Sequence, residues 1–161
     1  MKYTIIGPRI QEIGGFDDSQ KDLQDKIKNV IDDVIKSKDP KNDILLSSAS
    51  LGIEFWAIQS CLKLNKPYIL YVPYNNFDSK WPTKQKNLYK EVMQKAKEIV
   101  QTHHGEYSPQ KIFEKDKIMR EDADTIIHFW SVPPTSLNFI KDKTIIELKT
   151  QIYAKDHFVP L

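Results

Sequence analysis

An α/β fold with a mostly parallel sheet covered by helices on both faces is what the chain predicts, and three observations predict it. Short β-branched runs alternate with stretches of helical periodicity along the sequence. Several of those runs are apolar at nearly every position, the pattern of strands covered on both faces. The intervening segments are long enough to cross from one parallel strand to the next. With 161 residues, 40% apolar and 29% charged, the chain has the balance of a folded globular protein, and a single domain over residues 1–161 is expected.

The elements follow in order. KYTIIG (2–7) is a β-branched run stopped by Gly7-Pro8, a first strand. Ser19 with Asp22 three residues on resembles a capping box, and Leu23, Ile27, Val30, Ile31, Val34 and Ile35 continue at helical spacing until Pro40. DILLSS (43–48) reads as a second strand, and Leu51, Phe55, Ile58 and Leu62 mark a face of a second helix. That helix is apolar on more than one face, which suits either an interface or full burial within one subunit. PYILYVPY (67–74) is a third strand; a third helix runs from Thr83 to Lys97 with Leu88, Val92 and Ala96 inward. EIVQTH (98–103) makes a fourth strand, and Ser108-Pro109 pairs an N-cap with a first-turn proline to open a fourth helix. DTIIHFW (124–130) is a fifth strand. A last helix near 143–154 and a short HFVPL tail, a candidate sixth strand, complete the reading. The architecture is a Rossmann-like three-layer sandwich with five or six strands, whose ligands settle outside the carboxyl ends of the strands.

Composition removes several functions. The apolar runs fall short of the roughly 20 residues a membrane helix needs, and the first residues lead into a strand, so a cytoplasmic protein is expected. Cys61 is the single cysteine and sits among Ile58, Leu62 and Leu64, which argues for a core residue and against disulfide or zinc chemistry. A net charge of +2 announces no nucleic-acid footprint. His103-His104 lacks metal-ligand spacing, His128 falls in a buried-looking strand, and Tyr107 covers the fourth helix as readily as it borders a site. No metal and no cofactor is expected.

The strand-to-helix loops carry the candidate chemistry. Gly7-Pro8-Arg9 and the segment from Ser47 through Ser48 and Ser50 to Gly52 are small enough for backbone N–H groups to approach an anion, with Arg9 as a forked cation. The same residues also serve simply to stop a strand and cap a helix. Glu54 in a first helical turn suits the helix dipole and equally suits a ribose hydroxyl. Trp81 either stacks on a base or packs its loop onto the sheet.

In that order, GPRIQEIGGFD, LGIEFWAI, YVPYNNFDSKW, YSPQKIFEKDKIMREDAD and a final hydrophobic strand, over about residues 3 to 131, resemble the YpsA-like branch of the SLOG superfamily. That superfamily also includes DprA and the lysine-decarboxylase-like LOG proteins. Gly7 and Arg9 match the branch's first-loop motif, Glu12 and Gly14 its ELG-type stretch, Gly52 and Glu54 its LGxE stretch, and Trp81 its tryptophan after the third strand. The resemblance implies a Rossmann-like domain with a site for a nucleotide-derived ligand, ADP-ribose-like or NAD-related, and a homo-oligomer. Two departures stand out. Lys115-Asp116 replaces a basic residue followed by asparagine, and SVPPTSLNF (131–139) replaces the PGGxGTxxE signature of LOG enzymes, leaving Thr135 and Ser136 as hydroxyl donors without the catalytic glutamate.

The leading expectation is therefore a binding protein for a nucleotide-derived signal, ADP-ribose-like, NAD-related or a cyclic nucleotide, acting as sensor or sequestering agent. An N-glycosidic hydrolase of LOG type, with Glu54 as the substitute carboxylate, is the enzymatic alternative. A DprA-like single-stranded DNA binder is the third, and the modest charge counts against it.

Overall fold

The computed structural model describes residues 1–15, 21–129, 144–147, 151–154 and 157–160. Strands β1 (Lys2–Ile6), β2 (Ile44–Ser47), β3 (Tyr68–Val72), β4 (Glu98–Gln101), β5 (Thr125–His128) and β6 (Thr144–Glu147) form one sheet in the order β4-β3-β2-β1-β5-β6. Every pairing in it is parallel. Helices α1 (Lys21–Lys36), α2 (Ile53–Leu64) and α3 (Thr83–Lys95) carry the chain outward from β1 to β4. Helix α4 (Pro109–Asp122) brings it back to place β5 on the other side of β1, with Tyr3 between Leu45 and Thr125. The direction of winding reverses between β1 and β5, the position at whose carboxyl edge sheets of this kind receive their ligands.

Alternation along each strand sorts side chains into two cores. Tyr3, Ile5, Leu45, Leu70 and Val72 face α1, α2 and α3, while Ile6, Leu46, Ile69, Tyr71 and Ile126 face Met119 and Ala123 at α4. Helix α1 buries the single stripe Leu23, Ile27, Ile31 and Ile35, each removal from water being worth about 1.5–3 kcal/mol. Helix α2 is different. Phe55, Trp56, Ala57, Ile58 and Cys61 are all buried because α1 and α3 of the same chain flank it, so its second apolar face is filled from within the chain. Burial also pushes the Cys61 thiol up to about 12, leaving it an inert core group. The helix ends where Asn65 adopts a left-handed conformation (φ 55°) and Lys66 N–H donates to the Cys61 carbonyl at 2.8 Å.

The boundaries predicted for the first five strands and four helices hold to within a few residues. Ser108 does precede Pro109 at the start of α4, but its hydroxyl makes no capping bond. Ser19 and the proposed capping box, like Trp130, lie outside the described residues. The expected last helix near 143–154 is corrected: Thr144–Glu147 is β6, and Gln151–Ala154 (β7) pairs antiparallel with His157–Pro160 (β8). Consecutive β-branched residues, Thr144, Ile145 and Ile146, favour the pleated backbone, and β5 offers them a parallel partner from Thr125 to His128. The tail is thus a strand as expected, but of a two-stranded hairpin and not of the main sheet.

Candidate functional site

The loops after β1 and β2 are joined by their backbones at the carboxyl edge. Arg9 and Gly52 form an isolated antiparallel bridge, and Ile10 N–H donates to the Leu51 carbonyl at 3.3 Å. Gly52 sits at φ 114° and ψ −135°, and a Cβ there would stand 2.9 Å from the backbone nitrogen of Ile10. Only glycine meets both conditions. At Gly7 an added Cβ would lie 2.4 Å from Ile53 Cδ1 and 3.1 Å from Phe129 Cβ, so the missing side chain lets α2 and the end of β5 close around the first loop. Beyond it, Ile10–Ile13 forms a 3-10 turn ending at Gly14 (φ 99°). The Gln24 amide of α1 pins this turn by donating to the carbonyls of Ile13 (2.7 Å) and Gly15 (3.0 Å). Glu12 belongs to the turn, and Arg9 is exposed at its rim.

Beneath these loops lies a polar cluster. Ser47 Oγ donates to the Glu54 carbonyl (2.9 Å), fixing the first turn of α2 against the end of β2. Ser48 Oγ lies 3.0 Å from Glu54 Oε2 and 3.0 Å from Ser50 Oγ, so Ser48 links Ser50 to the Glu54 carboxyl while Ser47 holds the Glu54 backbone. Ser48 continues the face of Leu46, which looks toward α4, and the Glu54 carboxylate therefore reaches over the sheet edge to the α4 side. There α4 supplies Lys115, which is fully buried, with Nζ 2.6 Å from Asp116 Oδ1 in an ion pair that lacks hydrogen-bond geometry. Although Glu54 as a residue keeps partial exposure, its carboxyl lies deep enough for desolvation to raise its pKa. Lys115 and Arg120 pull it down and Asp116 pushes it further up, with desolvation prevailing.

A pH dependence follows from that direction. The folded carboxyl keeps its proton to higher pH than the unfolded one, so the native state binds the extra proton in the window just above the ordinary carboxylate range and loses stability as pH rises through it. Glu54→Gln retains an acceptor for Ser48 and removes the titration. Thermal melts from pH 4 to pH 8 should show this variant gaining on the parent as pH rises through that window. A gap that is constant across the series would show that Glu54 does not titrate in this way.

Other candidates fall elsewhere. Trp81 packs edge-to-face on Phe55, Phe77 and Tyr89 at centroid distances of 5.1–6.0 Å, the arrangement of a loop packed onto the core. His103 is held between Thr102 Oγ1 (3.1 Å) and Glu114 Oε2 (2.6 Å), and His128 Nδ1 lies 3.2 Å from the Phe129 carbonyl oxygen. Tyr107 is 60% exposed, edge-on to Tyr74. Among the described residues no group of acids, histidines or cysteines is placed to hold a metal, and no helix is long and apolar enough to cross a membrane. Thr135 and Ser136 lie outside the described residues.

With this geometry established, the comparisons decide the family. The YpsA model, described as the YspA SLOG family, matches residues 3–157. The chain belongs to that family. Its YpsA-type sequence is 23% identical over 132 residues to a UPF0398 protein of Brevibacillus brevis, covering 78% of this chain and 70% of that one. A UPF0398 protein of Lactobacillus gasseri is 27% identical over 133 residues, covering 78% and 70%. Among solved structures, DNA processing protein A from Helicobacter pylori, described for its single-stranded DNA binding mode, matches with a TM-score of 0.65 at 16% identity over 97% of this chain and 68% of that one. DprA from Streptococcus pneumoniae matches at 0.52 and 15% identity over 79% and 40%. These likenesses establish the Rossmann-like fold of this YpsA-family chain.

Loop spacing alone left two features unread. Lys115 was visible only through the family resemblance, although its i, i+4 relation to Met119 places it on the inward stripe of α4. Arg120, one turn beyond Asp116 and marked by no local motif, brings a second cation to bear on Glu54.

Proposed function

We propose that this chain binds a nucleotide-derived small molecule, ADP-ribose-like, NAD-related or a cyclic nucleotide, at the carboxyl edge of the sheet, and acts as a sensor or a sequestering protein. One observation carries the reading: a fully buried lysine, the Glu54 carboxyl and the serines bonded to it stand together beneath the two backbone-locked loops that follow β1 and β2. Burying such groups costs free energy that packing alone does not require. In this reading Arg9 meets phosphate at the rim, Glu54 accepts a ribose hydroxyl, and Lys115 supplies the counter-charge below. Native mass spectrometry of the purified protein against ADP-ribose, NAD, cyclic nucleotides and single-stranded DNA tests it. A nucleotide adduct weakened at least tenfold, about 1.4 kcal/mol, by Arg9→Ala is the expected result. Unchanged affinity in that variant would remove Arg9 from the site, and retention of DNA alone would replace the proposal with a DNA-binding one.

The raised pKa of Glu54 favours one second reading, N-glycosidic hydrolysis. A protonated carboxyl can deliver its proton to the departing base while water adds to the sugar carbon, giving free base and sugar phosphate. Free base appearing on incubation with a nucleoside monophosphate, and lost in Glu54→Gln, would establish it.

A further inference from the structure

On the other side of the same two loops, away from α4, a hollow of about 310 Å³ opens between the N-terminal halves of α1 and α3, with α2 as its floor. We infer that it is a second ligand site, for a phosphorylated sugar or polyol. This goes beyond the nucleotide reading, because Glu54 and Lys115 line no part of it.

Charge is the first reason. Lys21 and Lys28 from α1 and Lys84 from α3 stand around the hollow against one carboxylate, Asp25, among the described lining residues. None of the three lysines forms an ion pair with a described carboxylate; those pairs involve Lys63, Lys95 and Lys115. Three ammonium groups brought to one depression from two helices set up a positive potential that a phosphate dianion neutralises.

The remaining lining specifies what the phosphate is attached to. Gln59 and Gln85 each offer an amide donor and acceptor, and Gln24, whose Nε2 is committed to the carbonyls of Ile13 and Gly15, keeps its oxygen as an acceptor. Asp25 adds a carboxylate acceptor for hydroxyls. Ile10, Leu51 and Leu88 supply small apolar surface for the C–H face of a ring. Among the described lining residues neither aromatic ring is open to a base: the Lys28 ammonium covers the Trp56 ring at 4.8 Å from its centroid, and Phe55 is taken up edge-to-face by Trp81. The volume stands at the lower end of the range for small-molecule sites and suits a sugar phosphate.

Isothermal titration with glucose 6-phosphate and ribose 5-phosphate, with glucose, inorganic phosphate and AMP alongside, tests the inference. At least one sugar phosphate is expected to bind, more tightly than inorganic phosphate, with no heat from glucose. The exposed double variant Lys21→Gln/Lys84→Gln should weaken it at least tenfold at unchanged circular dichroism, whereas Arg9→Ala and Glu54→Gln should leave it unaltered. Failure of both sugar phosphates to bind at millimolar concentration, equal affinity in the double variant, or AMP that binds more tightly than ribose 5-phosphate and is weakened by the same double variant overturns the assignment. The nucleotide reading is tested separately, by Arg9→Ala and Glu54→Gln, whose residues do not line the hollow.

Discussion

Lys115→Ala is expected to cost about 3 kcal/mol of folding stability, because removing one member of a buried charged set leaves the others uncompensated. Lys115 is fully buried, and its ammonium is paired with Asp116 and acts on Glu54 from α4. Asp116 is only partly covered, its side chain keeping 29% exposure, so solvent moderates the loss on that side and the expected figure lies at the lower end for such deletions. The informative companion is Lys115→Met. It fills the same volume without charge, and Glu54, whose pKa then rises further, settles as the neutral acid. Urea titration should show Met recovering most of the stability, while the nucleotide binding proposed above should be lost in both variants. An alanine variant within 0.5 kcal/mol of the parent, the usual range for surface changes, would show that the ammonium is not confined as described.

Gly52→Ala should be comparably damaging by another route. The residue occupies a backbone region that costs a non-glycine residue about 1–3 kcal/mol, and the new methyl would also press on the amide nitrogen of Ile10, a backbone atom that cannot rotate aside. The sum is about 3 kcal/mol, together with separation of the two loops at the Arg9–Gly52 bridge. Gly15 provides the internal control. Its φ is +64° but nothing lies within 4 Å of an added Cβ, so Gly15→Ala should lose only the conformational part, about 1–2 kcal/mol. Equal losses at the two glycines, read by chemical denaturation, would mean that the contact with Ile10 contributes nothing.

Much of this molecule could be read from residue pattern, for identifiable reasons. The Leu23-Ile27-Ile31-Ile35 stripe and the apolar run YILYV announce themselves because burial on one side or two imposes distinct periods. The segment after residue 143 misled because TIIELKTQIYA satisfies a helical spacing loosely, while its β-branched start gained a parallel neighbour that no local rule reveals. At the site, the glycines and serines were legible as small and hydroxylated, but not what they touch. Gly7 accommodates Ile53 and Phe129, and Ser47 holds the first turn of α2, both consequences of strands separated by tens of residues coming together. The Glu54–Lys115 relation spans two elements on opposite faces of the sheet, and only tertiary structure could disclose it.

The central position of β1 also shapes how the protein comes into being. Of the strands described, β1 leaves the ribosome first, yet one of its two neighbours, β5, begins more than a hundred residues later. Until then Ile5 and Ile6 have an open hydrogen-bonding edge beside them, and the reversal of winding between β1 and β5 does not exist. Such non-local closure slows folding and exposes the nascent chain to mispairing. Any ligand that enters at this place therefore recognises only a chain in which β5 has joined β1, and its presence would hold that junction shut.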